Sequence, residues 1–472
     1  MEQKRRLSDP EAVTTTSSCR LCNALSTIWN RLLDLAAVAF IACFVIMCIS
    51  QDARNYGMEV VGQVTGRYFS NHPEYGPVHQ VDTELTVPSK NHERPLQDET
   101  QPDTDNTFDH IFPGLEGLHC PTPNASRYGS LQVGDSTDPG VDYFIALKVT
   151  DSLSRLPALL AAIMEAIRFL GPHHCVVSAV DGWSASGRPP PRELEALRDA
   201  VEAAGAMYFY EKRDVYSQLP NAMGEAGIRN QALRPLVKDI TMVKGDATVV
   251  FLDDVVICGE DILELILQRR ALEADMTCGM LFDIWRYDSA RLADTWTNRD
   301  MEGAEFTETT PPGTPSSPGP RYWKDPEAQE RFDKKRPFQV YSCWNGAAAF
   351  KASLITREGI RFRDSRPSNR GECEQPETRL FCKDMWLRKK GKIAVIPSVS
   401  LNKESLTRLD IKKMKGHTGD VVQGQDPRLD RVAWWPTPPE QVFCEGRTEW
   451  EAWNKGWENI AIGVDDYTVY PN

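Results

Sequence analysis

Positive charge is in short supply in this chain. Its 54 Lys and Arg residues are outnumbered by 67 Asp and Glu residues, which gives a formal net charge of -13. A protein that binds nucleic acid needs a basic surface to displace counterions from phosphate, so the composition argues against that class. The sequence has no internal repeat, and 12 cysteines in 472 residues are too sparse for a scaffold built from disulfides.

One long apolar run lies near the N-terminus. Residues 1–31 are polar with several basic side chains, and an unbroken apolar run from Leu35 to Ile49 follows. A helix over 32–50 is about long enough to cross a bilayer of roughly 30 Å. The basic flank predicts a cytoplasmic tail over 1–31, a signal anchor over 32–50 and a lumenal remainder. A cleaved secretory signal peptide and a buried core helix are the alternatives.

The next region predicts a stem rather than a folded domain. Residues 51–140 are rich in Pro, Gly, Asn, Asp and Thr without sustained periodicity, so we expect a largely irregular lumenal stem. Asn124 begins an Asn-Ala-Ser triplet, an N-linked glycosylation acceptor that is usable only in the lumen. Eight cysteines, from Cys120 to Cys444, would then lie in an oxidising compartment, where pairing is expected but its connectivity is not readable.

Strand and helix patterns alternate from residue 141 onward. The predicted elements are strands over 143–149, 176–180 and 207–210 and helices over 156–170 and 192–204. This order predicts an α/β domain over 141–420 with a doubly wound, mostly parallel sheet flanked by helices. Ligands of such sheets bind at the carboxyl ends of the strands, where Asp181 follows the second strand. Residues 421–472 are expected to form a C-terminal extension that packs on the domain.

The domain is organised around the stretch TVVFLDDVVICGEDILELIL, residues 248–267. Its apolar start predicts a buried strand, Asp253 and Asp254 follow directly, and a helix is predicted after Gly259. Paired acids at the tip of a strand can share Mn²⁺ or Mg²⁺ with the phosphates of a substrate. The alternative is a solvated turn, which is what most Asp-Asp pairs are.

Two further segments carry candidate binding residues. In GEAGIRNQALRPL, a helix facing the crevice would let Arg229 fork onto a phosphate or base carbonyl and let Asn230 bind a base or ribose edge. An exposed helix with a solvated Arg is the alternative. Residues 338–350 predict two strands joined by a tight turn at Asn345-Gly346. Trp344 would be a platform for a sugar ring, with Asn345 bonding hydroxyls, or else a core Trp of a hairpin.

The segment ETRLFCKDMW predicts a helix that presents Glu377 and Asp384 two turns apart on one face. Before it, residues 294–336 are polar and Pro-rich, which predicts a long loop that covers an active site or is disordered.

These four segments, in this order and spacing, resemble the fungal capsule-associated α-1,3-mannosyltransferases of glycosyltransferase family 69, the cryptococcal mannosyltransferase-like proteins. The resemblance covers roughly residues 141–402. It implies a GT-A-like, nucleotide-sugar-binding fold and a single-pass type II protein of the Golgi or another secretory-pathway membrane. It also implies transfer of mannose from GDP-mannose to a mannose-containing glycan with a divalent metal, typically Mn²⁺, with other glycosyltransferase subunits as further partners.

The resemblance assigns roles by position. Asp254 would be the main metal ligand with Asp253 beside it, and a late His, His417, is the candidate third ligand against the alternative of a solvent-exposed side chain. It assigns donor binding to Asp181, Arg229, Asn230 and Asp253. It assigns acceptor binding to Trp344, Asn345 and Gly346, and catalysis to Glu377 and Asp384.

The two catalytic candidates would orient the acceptor or stabilise an oxocarbenium-like transition state. An α-linked product from an α-linked donor would mean retention of configuration. Thr378 stands where the family has a cysteine, so the corresponding disulfide is missing or rerouted through Cys373. Two other functions stay open: a catalytically silent relative that serves as a sugar-binding or scaffold subunit, and a transferase with another donor such as UDP-xylose.

Overall fold

The computed structural model describes residues 120–134, 140–149, 156–182, 191–212, 224–286, 289–305, 325–365, 372, 374–402, 411–428, 430–444 and 456–459. The predicted tail, the anchor over 32–50 and the stem up to residue 119 lie outside these ranges. In the part of the chain that is described, no helix has the length and apolar character needed to cross a bilayer.

The described residues form eleven strands, ten α-helices and two short 3-10 helices, Gly129–Leu131 and Pro172–His174. The strands are β1 (Val141–Val149), β2 (Cys175–Asp181), β3 (Met207–Lys212), β4 (Val243–Leu252), β5 (Met276–Arg286), β6 (Ser289–Leu292), β7 (Phe338–Gln339), β8 (Ala347–Lys351), β9 (Ile393–Asn402), β10 (Gln441–Cys444) and β11 (Gly456–Asn459). The helices are α1 (Ala125–Tyr128), α2 (Leu156–Leu170), α3 (Arg192–Ala203), α4 (Glu225–Lys238), α5 (Gly259–Ala271), α6 (Pro326–Asp333), α7 (Ser353–Thr356), α8 (Glu377–Leu387), α9 (Ile411–Lys415) and α10 (Thr418–Val421).

Nine of the strands form one mixed sheet. Its order is β3-β2-β1-β4-β8-β5-β9-β7, with β6 paired to β5. Strands β1 to β4 are parallel neighbours, and β5 is parallel to β9. Strands β8, β6 and β7 run antiparallel to their neighbours. The predicted β-α-β-α-β alternation is confirmed, while the predicted mostly parallel sheet holds for its first half only.

The two strands and the turn predicted within residues 338–350 are present, but the strands do not pair with each other as a hairpin. Asn345 and Gly346 do turn the chain, with φ angles of 58° and 77°. The flanking strands then separate, since β7 pairs with β9 and β8 inserts between β4 and β5. The reason is burial: residues 347–350 are fully buried and apolar, and an interior position gives them backbone partners on both sides.

Helices cover both faces of the sheet. Alternate side chains of each strand point to opposite faces, so Phe251 packs with α4 and α8 whereas Leu252 packs with α2 and α5. Both layers are dry, because Phe251 and Leu252 are 0% exposed. Because β1, β2 and β4 are parallel, the polar residues at or next to their carboxyl ends, Lys148, Asp181 and Asp253, lie at one edge of the sheet.

The described part of residues 421–472 lies against the domain. Strands β10 and β11 pair as a small antiparallel sheet. The N–H of Phe443 donates to the carbonyl of Gly303 (2.8 Å), and its own carbonyl accepts hydrogen bonds from Arg299 (2.9 Å) and Arg379 (3.1 Å). Both arginines are buried, so the strand carbonyl helps to satisfy their donors.

Candidate functional site

A cavity of about 300 Å³ opens where β4 and β5 end. It is lined by residues of α4, the acidic turn after β4, strand β5, the segment after β6, the turn before β8 and the start of α8, namely Arg229, Asp253, Leu281, Asp283, Ala293, Asp294, Trp296, Thr297, Trp344, Gly346 and Thr378. Four of the sequence segments that predicted binding residues thus meet at this one place, as expected for the carboxyl edge of such a sheet.

A buried arginine ties two of these segments together. Nη1 and Nη2 of Arg229 donate to the two carboxylate oxygens of Asp253, at 2.6 and 3.0 Å, and its Nε donates to Glu377 at 2.9 Å. Arg229 is 4% exposed. Bidentate pairing is the strongest geometry available to a guanidinium, so α4, the acidic turn and α8 are fixed relative to one another.

The carboxylate of Asp253 is ionised and fully engaged. The indole N–H of Trp344 donates to its Oδ2 at 2.9 Å, and Nζ of Lys148 lies 3.9 Å from its Oδ1. Burial alone would raise the pKa of Asp253, but the charges of Arg229 and Lys148 outweigh burial and lower that pKa to about 2. Lys148 also pairs with Glu225 at the start of α4. The result is a network of two cations and three carboxylates.

Aromatic rings enclose the arginine. Its Cζ lies 4.7 Å from the ring centroid of Trp344, 5.2 Å from that of Phe251 and 5.7 Å from that of Phe362. These rings exclude water, so the ion pair with Asp253 is stronger than an exposed pair would be, and the loss of either partner is correspondingly costly.

Residues 294–298, on the far wall of the cavity, are hydrogen-bonded to the turn before β8. The amides of Asn298 and Asn345 bond each other reciprocally, at 2.9 and 3.2 Å. Asp294 accepts the N–H of Asn345 (3.0 Å) and that of Thr297 (3.0 Å). Part of the region predicted as a polar loop is therefore buried structure, while residues 306–324 lie outside the described residues.

Gly346 is needed at this turn. Its φ is 77°, its carbonyl accepts the N–H of Asp253 at 2.8 Å, and a Cβ atom would collide with Cγ1 of Val255. We expect Gly346→Ala to lower the free energy of unfolding by about 2–3 kcal/mol through strain and overpacking. Gly359→Ala is the matched control, because Gly359 has a φ of 69° but no described heavy atom within 4 Å of the added carbon.

Gly359→Ala should lower the free energy of unfolding by only about 1 kcal/mol, the cost of a positive φ angle for alanine. Chemical denaturation of both variants measures the difference. Equal losses in the two variants would contradict the collision with Val255.

Asn230 and Asn345 both have hydrogen-bond partners within the protein. Nδ2 of Asn230 donates to the carbonyl of Phe362 (2.8 Å), and its Oδ1 accepts the N–H of the same residue (3.0 Å). Asn345 is 0% exposed and its side chain is paired with Asn298. Both side chains thus hold parts of the backbone in place, Asn230 the segment at Phe362 and Asn345 the turn before β8.

Trp344 and Asp384 also differ from the prediction. Trp344 is 2% exposed, which makes it the core Trp of the alternative interpretation, although its edge reaches the cavity wall. Asp384 is 2% exposed and accepts two hydrogen bonds from Arg363, at 2.9 and 3.0 Å. Glu377 and Asp384 thus serve two different arginines rather than one shared site.

Asp181 is placed at the same edge of the sheet, two strands from Asp253. It is 0% exposed, and the hydroxyl of Tyr210 donates to it at 3.1 Å. Its predicted role in donor binding stays a prediction. Thr378, at the position of the expected cysteine, instead bonds the hydroxyl of Thr297 at 3.0 Å, and Cys373 lies outside the described residues.

The predicted metal ligands are not gathered into one site. Both oxygens of Asp253 are bound by Arg229, and Asp254 is 5% exposed beside it. His417 precedes α10, and its Nδ1 is buried without a hydrogen-bond partner among the described residues. Across the described ranges, no three His, Cys, Asp or Glu side chains come together as ligands. The described residues therefore do not form a three-ligand site, and Asp254 is the predicted ligand that makes no described hydrogen bond to Arg229. One carboxylate together with substrate phosphates is a common way for Mg²⁺ or Mn²⁺ to bind.

Sequence reasoning missed three residues of this site. Lys148 is a charged residue near the end of the otherwise apolar strand YFIALKV, and it is 7% exposed. Glu225 opens α4 and pairs with it. A single charged residue, Lys148, in an otherwise apolar strand was the sequence feature that could have indicated this ion pair. Trp296, 37% exposed on the cavity wall, lay in a segment whose composition predicted only a loop.

The chain is similar to known mannosyltransferases in sequence. Residues 142–384 match the family model described as Cryptococcal mannosyltransferase 1. The α-1,3-mannosyltransferase CMT1 of Cryptococcus neoformans var. neoformans serotype D is 27% identical over 324 residues, which are 64% of this chain and 67% of that protein.

Two solved structures are also similar. The crystal structure of S. aureus TarS residues 1–349 has a TM-score of 0.32 and 14% identity, over 56% of this chain and 60% of that one. The mannosyltransferase PcManGT from Pyrobaculum calidifontis, in complex with GDP-Man and Mn²⁺, has the same TM-score and identity, over 60% of this chain and 66% of that one.

The family match spans more than half of the 472 residues and contains every residue that lines the cavity. The chain belongs to the family described as Cryptococcal mannosyltransferase 1.

Proposed function

We propose that this protein transfers mannose from GDP-mannose to a mannose-containing glycan, forming an α-1,3 linkage with retention of configuration. The observation that carries the proposal is the family match over 142–384, which contains the whole cavity. A relative that is 27% identical is an α-1,3-mannosyltransferase, which supports the sugar and the linkage. The alternating first half of the sheet is compatible with a GT-A-like fold, in which the donor lies at the carboxyl edge.

The charged network suits the chemistry of glycosyl transfer. Positive charge develops at the anomeric carbon as the sugar leaves its diphosphate, and carboxylates held in a dry site stabilise such charge. Arg229 fixes Asp253 on the cavity wall and Glu377 beside the lining residue Thr378, so neither carboxylate has to reorganise during the reaction. We assign Arg229 to positioning these two acids rather than to the phosphate fork predicted from sequence.

Two disulfides support a secretory-pathway location with a lumenal domain. Cys120 is bonded to Cys258 and Cys278 to Cys343. Disulfides persist in oxidising compartments and are rare in the cytosol. The single-pass type II topology and the Golgi location are proposed on this basis together with the apolar run over 32–50.

The test is direct transfer. The full chain is given radiolabelled GDP-mannose and an α-linked mannose disaccharide, with and without Mn²⁺, Mg²⁺ or a chelator, and with UDP-xylose in a parallel arm. We expect a trisaccharide that linkage analysis assigns as α-1,3, from GDP-mannose only, and no product after chelation. Undiminished product in chelator would remove metal dependence while leaving the transferase intact.

A second candidate is a catalytically silent sugar-binding or scaffold subunit. The commitment of both Asp253 oxygens to Arg229 is the observation that favours it, because a predicted metal ligand is already paired. This candidate predicts glycan binding without any consumption of GDP-mannose, with or without metal. Hydrolysis or transfer above the level of a heat-denatured sample would exclude it.

Trp296 is the exposed aromatic side chain of the cavity, and we expect it to stack against the acceptor sugar. Trp296→Ala should raise KM for the disaccharide about tenfold, as loss of about 1.4 kcal/mol requires, with little change in kcat. The control is Trp435→Ala, since Trp435 is 52% exposed and is not among the residues that line this cavity. Initial rates over a range of disaccharide concentrations measure both constants; an unchanged KM in Trp296→Ala would contradict the stacking.

A further inference from the structure

A second and larger cavity lies along the outer side of α5. Its volume is about 880 Å³. One wall is formed by residues 121–131, the floor by α5 between Glu260 and Ala271, and the other wall by residues 419–428. It shares no described lining residue with the cavity at the ends of β4 and β5, which we call the catalytic cavity. We call it the α5 groove.

The lining of the α5 groove suits a neutral, hydroxyl-rich ligand. Three basic side chains (Arg127, Arg270 and Arg428) are balanced by three acidic ones (Glu260, Asp420 and Asp426). Six neutral side chains supply further hydrogen-bonding groups, namely Thr122, Asn124, Ser126, Ser130, Gln423 and Gln425. The volume lies in the range of ligand-binding pockets. A carbohydrate has the matching chemistry, since it offers many hydroxyls and no charge.

A buried acid at one end of the groove has an unused acceptor. Glu260 is 2% exposed, and its Oε1 meets no hydrogen-bond donor among the described residues. The N–H of Gly419 donates to the same carboxyl group, and a Cβ atom at position 419 would lie 2.7 Å from its Oε2. Burial raises the pKa of Glu260 to about 7. A buried acceptor without a partner indicates a missing polar neighbour.

The acceptor of the Asn-Ala-Ser triplet stands on the wall of the same groove. Oδ1 of Asn124 accepts hydrogen bonds from the backbone N–H of Ser126 (2.9 Å) and from its hydroxyl (2.7 Å). Nδ2 takes part in no hydrogen bond within the described structure, and the side chain is exposed. The nitrogen that would carry a glycan is thus open at the edge of a polar cavity.

We propose that the α5 groove is a carbohydrate-binding site whose occupant is the chain's own N-linked glycan, attached at Asn124. The proposal rests on the lumenal location given above. Attachment forms a bond from Nδ2 to the anomeric carbon of an oligosaccharide diphosphate donor; the bond from that carbon to the diphosphate breaks, and an amide proton is released. Tethering then holds the inner sugars beside the groove at a high effective concentration.

The glycan would join two walls that are held differently. The first wall is covalently linked to α5 through Cys120 and Cys258. The second is held to the first by Nη1 of Arg127, which donates to the carbonyl of Gln425 at 2.7 Å. A ligand that contacts both walls only in the folded state adds to stability.

The test uses the full chain made in a eukaryotic secretory host. Ser126→Ala removes the triplet, and Ser126→Thr keeps it as the matched control. Gln423→Trp fills the groove from its second wall, where Gln423 is exposed, without touching the triplet. Mass spectrometry gives the occupancy of Asn124, and endoglycosidase treatment gives the rate of glycan release from folded and denatured protein.

We expect full occupancy in the wild type and in Ser126→Thr. The folded protein should release its glycan about tenfold more slowly than the denatured one, as a bound fraction of about 90% requires, and Gln423→Trp should abolish this protection. Trimming the glycan should lower the Tm by about 2–4 °C in the wild type and not in Gln423→Trp. An unoccupied Asn124, or release that is equally fast before and after denaturation, would overturn the proposal.

Mannosyl transfer is measured on the same preparations. Ser126→Ala should retain it, because the groove lies apart from the catalytic cavity. A protein that shows no transferase activity but protects its glycan would refute the proposed function alone. A protein that transfers mannose but does not protect its glycan would refute only the binding of the glycan in the α5 groove.

Discussion

Replacing Asp253 with Asn is expected to lower the free energy of unfolding by about 3–5 kcal/mol, the usual cost of removing one partner of a buried ion pair. Arg229 would keep Glu377 but lose its bidentate acceptor, and it is 4% exposed, so water cannot replace that acceptor. Because α4 and α8 are joined through this arginine, transfer should also fall about 100-fold, as small misplacements of catalytic groups do.

Asp254→Asn is the matched variant one residue along. The described hydrogen bonds of Arg229 go to Asp253 and Glu377 and not to Asp254. We therefore expect a loss of about 1 kcal/mol of unfolding free energy, the scale of one hydrogen bond. Because we propose Asp254 as the ligand of a divalent ion that the donor phosphates share, transfer should fall as far as in Asp253→Asn. Urea denaturation and initial rates separate the two effects. An Asp254 variant that is as unstable as the Asp253 variant yet fully active would refute this division of roles.

The pH dependence provides a second measurement on the same pair. The pKa of Asp253 is lowered from its ordinary value of 3.8 to about 2 by Arg229 and Lys148, against the opposing effect of burial. A depressed carboxyl pKa contributes stability that is complete above pH 3.8 and is lost as the pH falls through 2. The gap between wild type and Asp253→Asn should be constant from pH 7 to pH 5 and should narrow below pH 4. A gap that widens towards acid would contradict the ion pair.

Local patterns were sufficient to predict most of the elements in the first half of the sheet. The run of Leu, Ile and Met from Leu156 to Leu170 predicted helix α2, which the structure describes over the same residues. The second half depended on contacts between distant residues. The short run Ala347–Lys351 has the pattern of a hairpin strand, but its position between β4 and β5 is decided by the backbone partners that those strands offer.

The candidate site was predicted in its location and not in its contacts. In the structure, Arg229, the acidic turn and the start of α8 meet at one edge of the sheet, while the roles predicted for their residues stay predictions. Which donor faces which acceptor depends on geometry that a sequence does not contain. The pairing of Asn230 with the backbone of Phe362 spans 132 residues, and that of Asn345 with Asn298 depends on a segment whose composition suggested a loop.

Removing the disulfide between Cys120 and Cys258 is the other change for which we expect a large effect. The two residues are 138 positions apart, so the bond closes a long loop in the unfolded chain. The double variant Cys120→Ala/Cys258→Ala should lose about 4–5 kcal/mol of unfolding free energy on the loop-entropy estimate. Peptide mapping without reduction identifies the bond, and urea denaturation measures its contribution.

The control for this variant is Cys175→Ala. Cys175 is a buried free thiol in β2, so its replacement removes one sulfur atom from the core and leaves both disulfides in place. Its unfolding free energy should fall by about 1 kcal/mol, because the variant loses the burial of the sulfur and its weak hydrogen bond to the carbonyl of Gly171 (3.4 Å). Because Cys258 precedes α5, the double variant should also loosen the wall that carries Asn124, and proteolysis should cut residues 120–131 faster in it than in Cys175→Ala. Equal proteolysis of both variants would show that α1 is held by Arg127 and its pair with Glu264 rather than by the disulfide.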